Sequence, residues 1–160
     1  MKHKGIFCDT SFFIRLLDQT DPLHANARGY FKYFMENNYR LVISTIAVAE
    51  YCVGGDLQDL PLRNLQTVPF NLDHAKRTSE FARIVFSQKS ALKFKERNII
   101  PNDTKLFAQA DCETGVDYFI SSDRESMKIY QLLRQVDNPK FQFIDLNNPF
   151  HETFGLLNIG

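Results

Sequence analysis

The chain has 160 residues, of which 44% are hydrophobic, and this predicts one compact domain with a substantial core. Its 19 basic and 19 acidic residues cancel, so overall charge favours neither nucleic acid nor a membrane surface as a partner. Three widely spaced cysteines argue against a disulfide framework, and no apolar run is long enough for a signal peptide or a membrane span. We therefore expect a single cytoplasmic domain over residues 1–160, with its core from about 5 to 146 and a tail from 147 to 160.

Five short apolar runs predict β-strands. They lie at about Gly5–Asp9, Leu41–Ser44, Thr67–Phe70, Tyr118–Ser121 and Phe141–Leu146. Most of these runs are almost continuously apolar rather than alternating, which is typical of strands that are covered on both faces of a sheet. The three cysteines lie in or near apolar runs and are expected in the core.

Helical patterns lie between these strands. "SFFIRLLD" begins after a hydroxyl residue, and "PLHANARGYFKYFMENN" follows Asp21 as N-cap, with Pro22 at the first helical position. "TIAVAEYCV" follows Ser44, and "DRESMKIYQLLRQV" begins at a capping box formed by Ser122 and Glu125. "LDHAKRTSEFARIVFSQKSALKFKERN" and "DTKLFAQADCET" complete the set. This alternation predicts an α/β fold whose functional residues gather at the carboxyl ends of parallel strands.

Four acidic residues lie in places where a charge needs an explanation: Asp9, Glu50, Asp103 and Asp123. Each has a structural explanation, because Asp and Glu cap helices, favour helix N-termini or form salt bridges at a helix rim. If the four carboxylates converge instead, a divalent cation must offset their repulsion. Oxygen ligands favour Mg²⁺ or Mn²⁺ over zinc, and the open positions of such an ion meet phosphates.

Glu50 is the least easily explained of these acids. It lies four residues after Ile46, so it shares or borders the apolar face that runs through Ile46, Ala49 and Val53. An unpaired carboxylate on a buried helix face costs several kcal/mol unless another group compensates its charge.

Five phrases of the chain, taken in order, resemble the PIN-domain nucleases, and in particular the VapC-like toxins of prokaryotic toxin–antitoxin pairs. They are "IFCDTSFF", "VISTIAVAEY", "GDLQDLPLRNLQTVPFNLDHA", "IIPNDTKLFAQA" and "DYFISSDRES". The resemblance implies a three-layer α/β/α PIN-like fold with a central, mostly parallel twisted sheet of about five strands. It also implies metal-dependent endonucleolytic cleavage of RNA, a cognate antitoxin protein and a homodimer.

Position by position, the resemblance gives catalytic and metal-binding roles to Asp9, Glu50, Asp103 and Asp123. Ser121 replaces the family's threonine two residues before the last acid, and we expect it to orient a carboxylate or a water. Ser11 fills the short polar position after the first acid, and Asn102 is expected to support Asp103. Asp111 is either a further site acid or a residue at the rim of its helix.

A site with four acids repels RNA, so basic residues must line the approach to it. We expect phosphate contacts from a set of basic residues before and after the acids: Lys93, Lys95, Lys105, Arg124 and Lys128. The histidines are not assigned as a general base, and His24 and His74 are expected at the surface. The aromatic stretch "YFKYFMENNY" either forms a dimer interface or packs inward, and the tail either covers a sheet edge or pairs subunits.

Two rival enzyme classes fit the sequence less well. A haloacid-dehalogenase-type phosphatase needs a second Asp where this chain has Ser11, and a receiver domain needs clustered acids at the first strand and a late-strand lysine. A non-catalytic PIN-like module that binds RNA or a protein remains open as the alternative function.

Overall fold

The computed structural model describes residues 2–88 and 102–156, and its centre is a five-stranded sheet in the order β3-β2-β1-β4-β5. The strands are β1 (Gly5–Cys8), β2 (Arg40–Ser44), β3 (Leu65–Val68), β4 (Val116–Ser121) and β5 (Gln142–Asp145). Every neighbouring pair is parallel. The predicted α/β class and three-layer arrangement are therefore confirmed; β3 is displaced by two residues toward the N-terminus, and β4 begins two residues before its expected start.

Seven helices in the described residues pack around this sheet. They are α1 (Thr10–Leu17), α2 (His24–Glu36), α3 (Thr45–Tyr51), α4 (Leu72–Gln88), α5 (Asn102–Cys112), α6 (Arg124–Val136) and α7 (Phe150–Thr153). Helix α1 packs against α2 and α3, whereas α4 packs against α5 and α6. None of the described helices is long and apolar enough to cross a membrane.

The central strand β1 brings residues from distant parts of the chain to one edge of the sheet. All four of its residues are buried, and Cys8 pairs with Ile43 of β2 on one side and with Ile120 of β4 on the other. The backbone N–H of Asp9 donates to the Ile120 carbonyl at 3.1 Å. Asp9 therefore lies beside the carboxyl end of β4, where the sequence predicts functional residues.

Several helix starts differ from the sequence prediction. Ser44 caps α3 as predicted, because its hydroxyl accepts from the Ile46 N–H at 3.0 Å. However, α2 begins at His24, and Asp21 caps the preceding turn by accepting from the Leu23 N–H at 2.8 Å. Similarly, α1 has Asp9 at its N-cap position rather than a hydroxyl residue.

The start of α6 also corrects a prediction. Asp123, and not Ser122, is its N-cap residue, and the Asp123 carboxylate accepts from the Glu125 N–H at 2.8 Å. Asp123 is thus just outside the helix rather than in its first turn. The predicted capping box is wrong, but the segment does begin a helix where expected.

Two predictions about burial are wrong. Cys8 is a core residue, but Cys52 and Cys112 are exposed, and all three are free thiols. His74, expected at the surface, is only 1% exposed. Its Nδ1 accepts from the Asn71 N–H at 3.0 Å, so Nε2 carries the proton and donates to a Glu113 oxygen at 3.0 Å.

The aromatic stretch in α2 packs inward. Tyr30 and Phe34 are fully buried, and the Tyr33 ring lies 4.7 Å from Phe154 and 5.4 Å from Phe150, both in the tail. The described part of the tail therefore covers α2. The Tyr30 hydroxyl also donates to the Asn148 carbonyl at 2.7 Å, which fixes the chain as it leaves β5.

Candidate active site

Asp9 is the most buried of the four predicted acids, with 5% of its surface exposed. Its Oδ2 accepts hydrogen bonds from the Ser11 and Ser121 hydroxyls, each at 2.7 Å. In residues 2–88 and 102–156, no Lys, Arg or His forms an ion pair with it. Asp9 is therefore a buried carboxylate without a basic partner in the described part of the chain, directly after the central strand.

The two serines that hold Asp9 are themselves held by the turn between β4 and α6. The Ser11 oxygen accepts from the Ser122 N–H, and the Ser121 oxygen accepts from the Asp123 N–H, both at 3.0 Å. Since each hydroxyl has one proton and each proton is directed to Asp9, the rotamers of all three side chains are defined together. This turn thus connects the ends of β1 and β4.

Glu50 is positioned by two other side chains. Its Oε2 accepts from the Thr10 hydroxyl at 2.8 Å, and its Oε1 accepts from the Asn102 amide at 2.7 Å. Asn102, expected to support Asp103, therefore contacts Glu50 instead. The predicted apolar face of α3 is also corrected, because Val53 is 89% exposed whereas Ala47 is fully buried.

The charges of the four acids act on one another. Burial and then the negative charge of Asp9 raise the pKa of Asp103 to about 6, with smaller contributions from Asp123 and Glu50. Burial also raises the pKa of Asp9; the two serine hydrogen bonds oppose this effect, and Glu50 adds to it. Burial is thus the main cause of both raised pKa values, and repulsion between the acids adds to it.

Asp145 is an acid that the sequence reasoning missed. It ends β5 and pairs with Ser121 of β4, so it lies at the same edge of the sheet as the other acids. The signal was available, because "FQFID" is an apolar run that ends in Asp, as "IFCD" does. Asp145 and Asp123 line one open groove of about 290 Å³ beside the site.

Asp111 has a structural role and lies away from these acids. It is 6% exposed, and it accepts from the Arg77 guanidinium and from the Lys140 N–H, each at 2.8 Å. Eight residues along α5 separate it from Asp103, which corresponds to about 12 Å. Asp111 is therefore neither a further acid of the site nor an exposed rim residue, because it is buried and paired with Arg77.

The predicted RNA-binding residues are described in part. The Lys105 ammonium lies 3.4 Å from the Asn102 side-chain oxygen, next to Glu50, and Lys128 forms an ion pair with Glu125 at 2.9 Å. Arg124 is exposed at the start of α6 and lines the same groove as Asp123. Two further basic residues lie outside the described residues: Lys93 and Lys95.

The donor atoms at this site fit a hard cation in chemistry, although they do not form a closed ligand cage. Among the described residues, no three His, Cys, Asp or Glu side chains are grouped closely enough to hold a metal ion. Mg²⁺ keeps several waters and needs only one or two direct carboxylates, and oxygen ligands are those it prefers. A bound cation would stabilise the ionised forms of Asp9 and Asp103 most, because the pKa values of these two carboxyl groups are raised.

Comparison with known proteins identifies the fold. No protein-family model and no curated protein matches the chain. Among solved structures, VapBC2 of Rickettsia felis, bound to a DNA fragment from its promoter, is similar over 88% of this chain and 99% of that chain, with a TM-score of 0.58 and 15% identity. DNA-bound VapBC of Salmonella typhimurium is similar over 89% of this chain and 98% of that chain, with a TM-score of 0.55 and 15% identity.

A third structure is VapC20 of Mycobacterium tuberculosis, a toxin that cleaves the sarcin–ricin loop. It is similar over 77% of this chain and 93% of that chain, with a TM-score of 0.51 and 17% identity. The chain has the PIN-domain fold of VapC toxins. In this PIN fold, Asp9, Glu50, Asp103 and Asp123 lie around the carboxyl ends of the strands, and the resemblance predicted from sequence is confirmed as a likeness of fold.

Proposed function

We propose that the protein is a Mg²⁺- or Mn²⁺-dependent endoribonuclease and the toxin of a toxin–antitoxin pair. The observation that carries this proposal is the state of Asp9, which is buried without a basic partner in the described chain and repels the other acids. Leaving a charge buried and unpaired costs several kcal/mol, so it persists where a function requires it. In this proposal, binding a cation is the function that requires the charge of Asp9.

Each acid has a role in this proposal. Asp9, Glu50, Asp103 and Asp123 would hold the cation, directly or through its bound waters, and the hydrogen bonds from Ser11 and Ser121 keep the Asp9 carboxylate in one orientation. When bound, the cation supplies positive charge at the phosphate being cleaved and makes a nearby water more acidic.

RNA is the proposed substrate, and the basic residues on either side of the acids position it. Lys105 contacts Asn102, which in turn contacts Glu50, and Arg124 lines the same groove as Asp123. Because these contacts are to phosphates, raising the salt concentration weakens binding steeply. VapC20 cleaves the sarcin–ricin loop, which supports structured RNA, ribosomal or transfer, as the class to test.

The partners follow from the same likeness. Two of the similar structures are VapBC complexes, which supports a cognate antitoxin as the partner of this chain, and we place both in the cytoplasm with the RNA. A homodimer is also part of this proposal. Co-purification of the protein with the product of an adjacent reading frame tests the antitoxin, and light scattering tests the dimer.

The first experiment compares Asp9→Asn with the unaltered protein on ribosomal and transfer RNA. The change keeps the shape of Asp9 but removes its charge, so we expect cleavage in Mg²⁺ or Mn²⁺ to fall by more than about 100-fold, and Ser121→Ala to lower it about tenfold. A chelator abolishes cleavage by all variants. Asp73→Asn is the matched control, because Asp73 is exposed in the first turn of α4. Equal cleavage by Asp9→Asn contradicts the proposal.

A non-catalytic PIN-like module is the second candidate, and one observation favours it. The described residues contain no group of three metal-binding side chains already close together. Calorimetric titration with Mn²⁺ separates the two functions without an activity assay. An enzyme binds Mn²⁺ in a way that Asp9→Asn abolishes, whereas a module binds RNA equally well with Mn²⁺ or a chelator.

A further inference from the structure

The groove that Asp123 shares with Asp145 begins at the four-acid site, and the function proposed above uses only its Asp123 and Arg124 side chains. It has a volume of about 290 Å³ and separates the start of α6 from the end of β5. Its lining residues are Ser122, Asp123, Arg124, Met127, Lys128, Asp145 and Asn147. The groove therefore begins at a proposed catalytic acid and continues away from it.

The charged residues of the groove belong to different elements. On α6, Lys128 is paired with Glu125, but Arg124 is exposed and has no ion-pair or hydrogen-bond partner among the described residues. Arg124 is thus available for an anion. The side chain of Met127 supplies an apolar surface between these two residues.

At the end of β5, the Asp145 carboxylate needs a hydrogen-bond donor. Its Oδ1 accepts from the Asn147 N–H at 2.9 Å and from the Asn147 amide at 2.7 Å. No described residue donates to Oδ2. A bare phosphate here would be attracted by Arg124 and repelled by Asp145, so the groove suits a ligand with an anionic end and a neutral, donating end.

A ribonucleotide is such a ligand. Its phosphate is the anion, its ribose 2′-hydroxyl is the donor, and its base has an apolar face. We propose that this groove binds one ribonucleotide of the substrate beside the cleaved bond, with Arg124 at the phosphate, Met127 against the base and Asp145 accepting from the 2′-hydroxyl. The inference rests on the proposed ribonuclease function and adds to it a means of distinguishing RNA from DNA, since only RNA has this hydroxyl.

The kinetic test scans a cleaved RNA oligonucleotide with single 2′-deoxy substitutions on both sides of the cut. At one position, we expect the unaltered protein to lose about tenfold in kcat/KM, the effect of one hydrogen bond to a charged group. Asp145→Asn keeps the Oδ1 acceptor for the Asn147 turn but replaces Oδ2 by an NH₂ group. The penalty at that position should therefore fall below about twofold in this variant, as expected when that bond no longer forms.

Glu152→Gln is the control for loss of one negative charge, because Glu152 is exposed on α7, outside the groove. It should show the same 2′-deoxy penalty as the unaltered protein. The inference is overturned if Asp145→Asn retains the full penalty at every position, or if no position shows one. Melting temperatures of both variants establish that they are folded.

A binding measurement separates failure of this inference from failure of the proposed function. Methionine methyl groups labelled with ¹³C report on the groove through Met127, and Met35 on α2 is the internal control. Millimolar adenosine 5′-monophosphate should shift the Met127 signal and leave Met35 in place, and the 2′-deoxy analogue should shift Met127 less. If RNA is cleaved but the Met127 signal does not shift, the subsite is wrong and the proposed ribonuclease function stands. If the Met127 signal shifts but RNA is not cleaved, the subsite is supported and the ribonuclease function is rejected.

Discussion

At the level of single residues, Asp9 and Asp123 show how the same residue type serves two purposes. Both occupy N-cap positions, but Asp123 accepts from a helix N–H whereas the Asp9 side chain makes no capping bond and accepts from two serines. The capping explanation is therefore sufficient for Asp123 alone. Asp9 has no basic partner among the described residues, and its charge adds to burial, the main cause, in raising the pKa of Asp103.

Asp103→Asn tests this repulsion through stability. The pKa of Asp103 is raised from 3.8 to about 6, so the native state holds the proton more tightly than the unfolded chain. The native state is then favoured by this group below pH 3.8, and that advantage is lost as the pH rises through about 6. Without metal at pH 7.5, Asp103→Asn should raise the free energy of unfolding by about 1–2 kcal/mol.

Urea denaturation at pH 7.5 and 4.5, with a chelator present, measures the effect. The gain should shrink at pH 4.5, because the native Asp103 is then mostly protonated and no longer repels Asp9. Added Mn²⁺ should stabilise the unaltered protein more than the variant. A variant that is less stable at pH 7.5 would mean that Asp103 already has a compensating partner.

At the level of elements, Arg77 connects three parts of the fold on the side away from the groove. From α4 its guanidinium reaches Asp111 of α5 and Asp137 after α6, each at 2.8 Å, and Glu80 at 2.7 Å. It also lies 4.2 Å from the centre of the Phe81 ring. Arg77 therefore connects α5, which carries Asp103, to the end of α6, the helix that follows Asp123.

Arg77→Met should lower the free energy of unfolding by about 3 kcal/mol, because it leaves the Asp111 carboxylate buried with an uncompensated charge. Urea denaturation measures this loss. Adding Asp111→Asn to Arg77→Met should recover part of it, since the unpaired charge is then removed. Arg83→Met, an exposed change on the same helix, is the control and should have little effect. Equal losses from both arginine changes would contradict this account of Arg77.

Strands and helix starts could be predicted from the sequence where the residues within or next to the element determine it. The inner strands β1, β2 and β4 are mostly buried and read as apolar runs, and Ser44 both ends β2 and caps α3. Residues that depend on distant partners were not predictable. Nothing near Asp111 shows that Arg77, 34 residues earlier, pairs with it, and nothing near Asn102 indicates Glu50, 52 residues away. Asp145 was missed for a different reason, because the predicted strand continued through it to Leu146.

At the level of the whole molecule, the described part of the tail, up to residue 156, packs against the rest of the domain. Phe154 contacts aromatic rings of α2 and the Tyr118 ring of β4, so it joins the end of the chain to a helix and to the sheet. Removing this ring should therefore destabilise the entire fold rather than the tail alone.

Phe154→Ala should lower the free energy of unfolding by about 2 kcal/mol, somewhat less than for a fully buried ring, because Phe154 is partly buried. Thermal denaturation followed by circular dichroism measures this change. Leu156→Ala, two residues further along and 43% exposed, should have little effect. If Phe154→Ala melts at the unaltered temperature, the tail is an independent segment.

The hydrogen bond from Ser121 to Asp9 spans 112 residues, and this has a consequence during synthesis. When translation has reached residue 100, Asp9 and Glu50 have been synthesised but Asp103 and Ser121 have not. At that stage, β1 of the nascent chain lacks β4, which is its neighbour on one side in the folded sheet. Asp9, Glu50, Asp103 and Asp123 can therefore come together only after β4 has emerged and taken its place in the sheet.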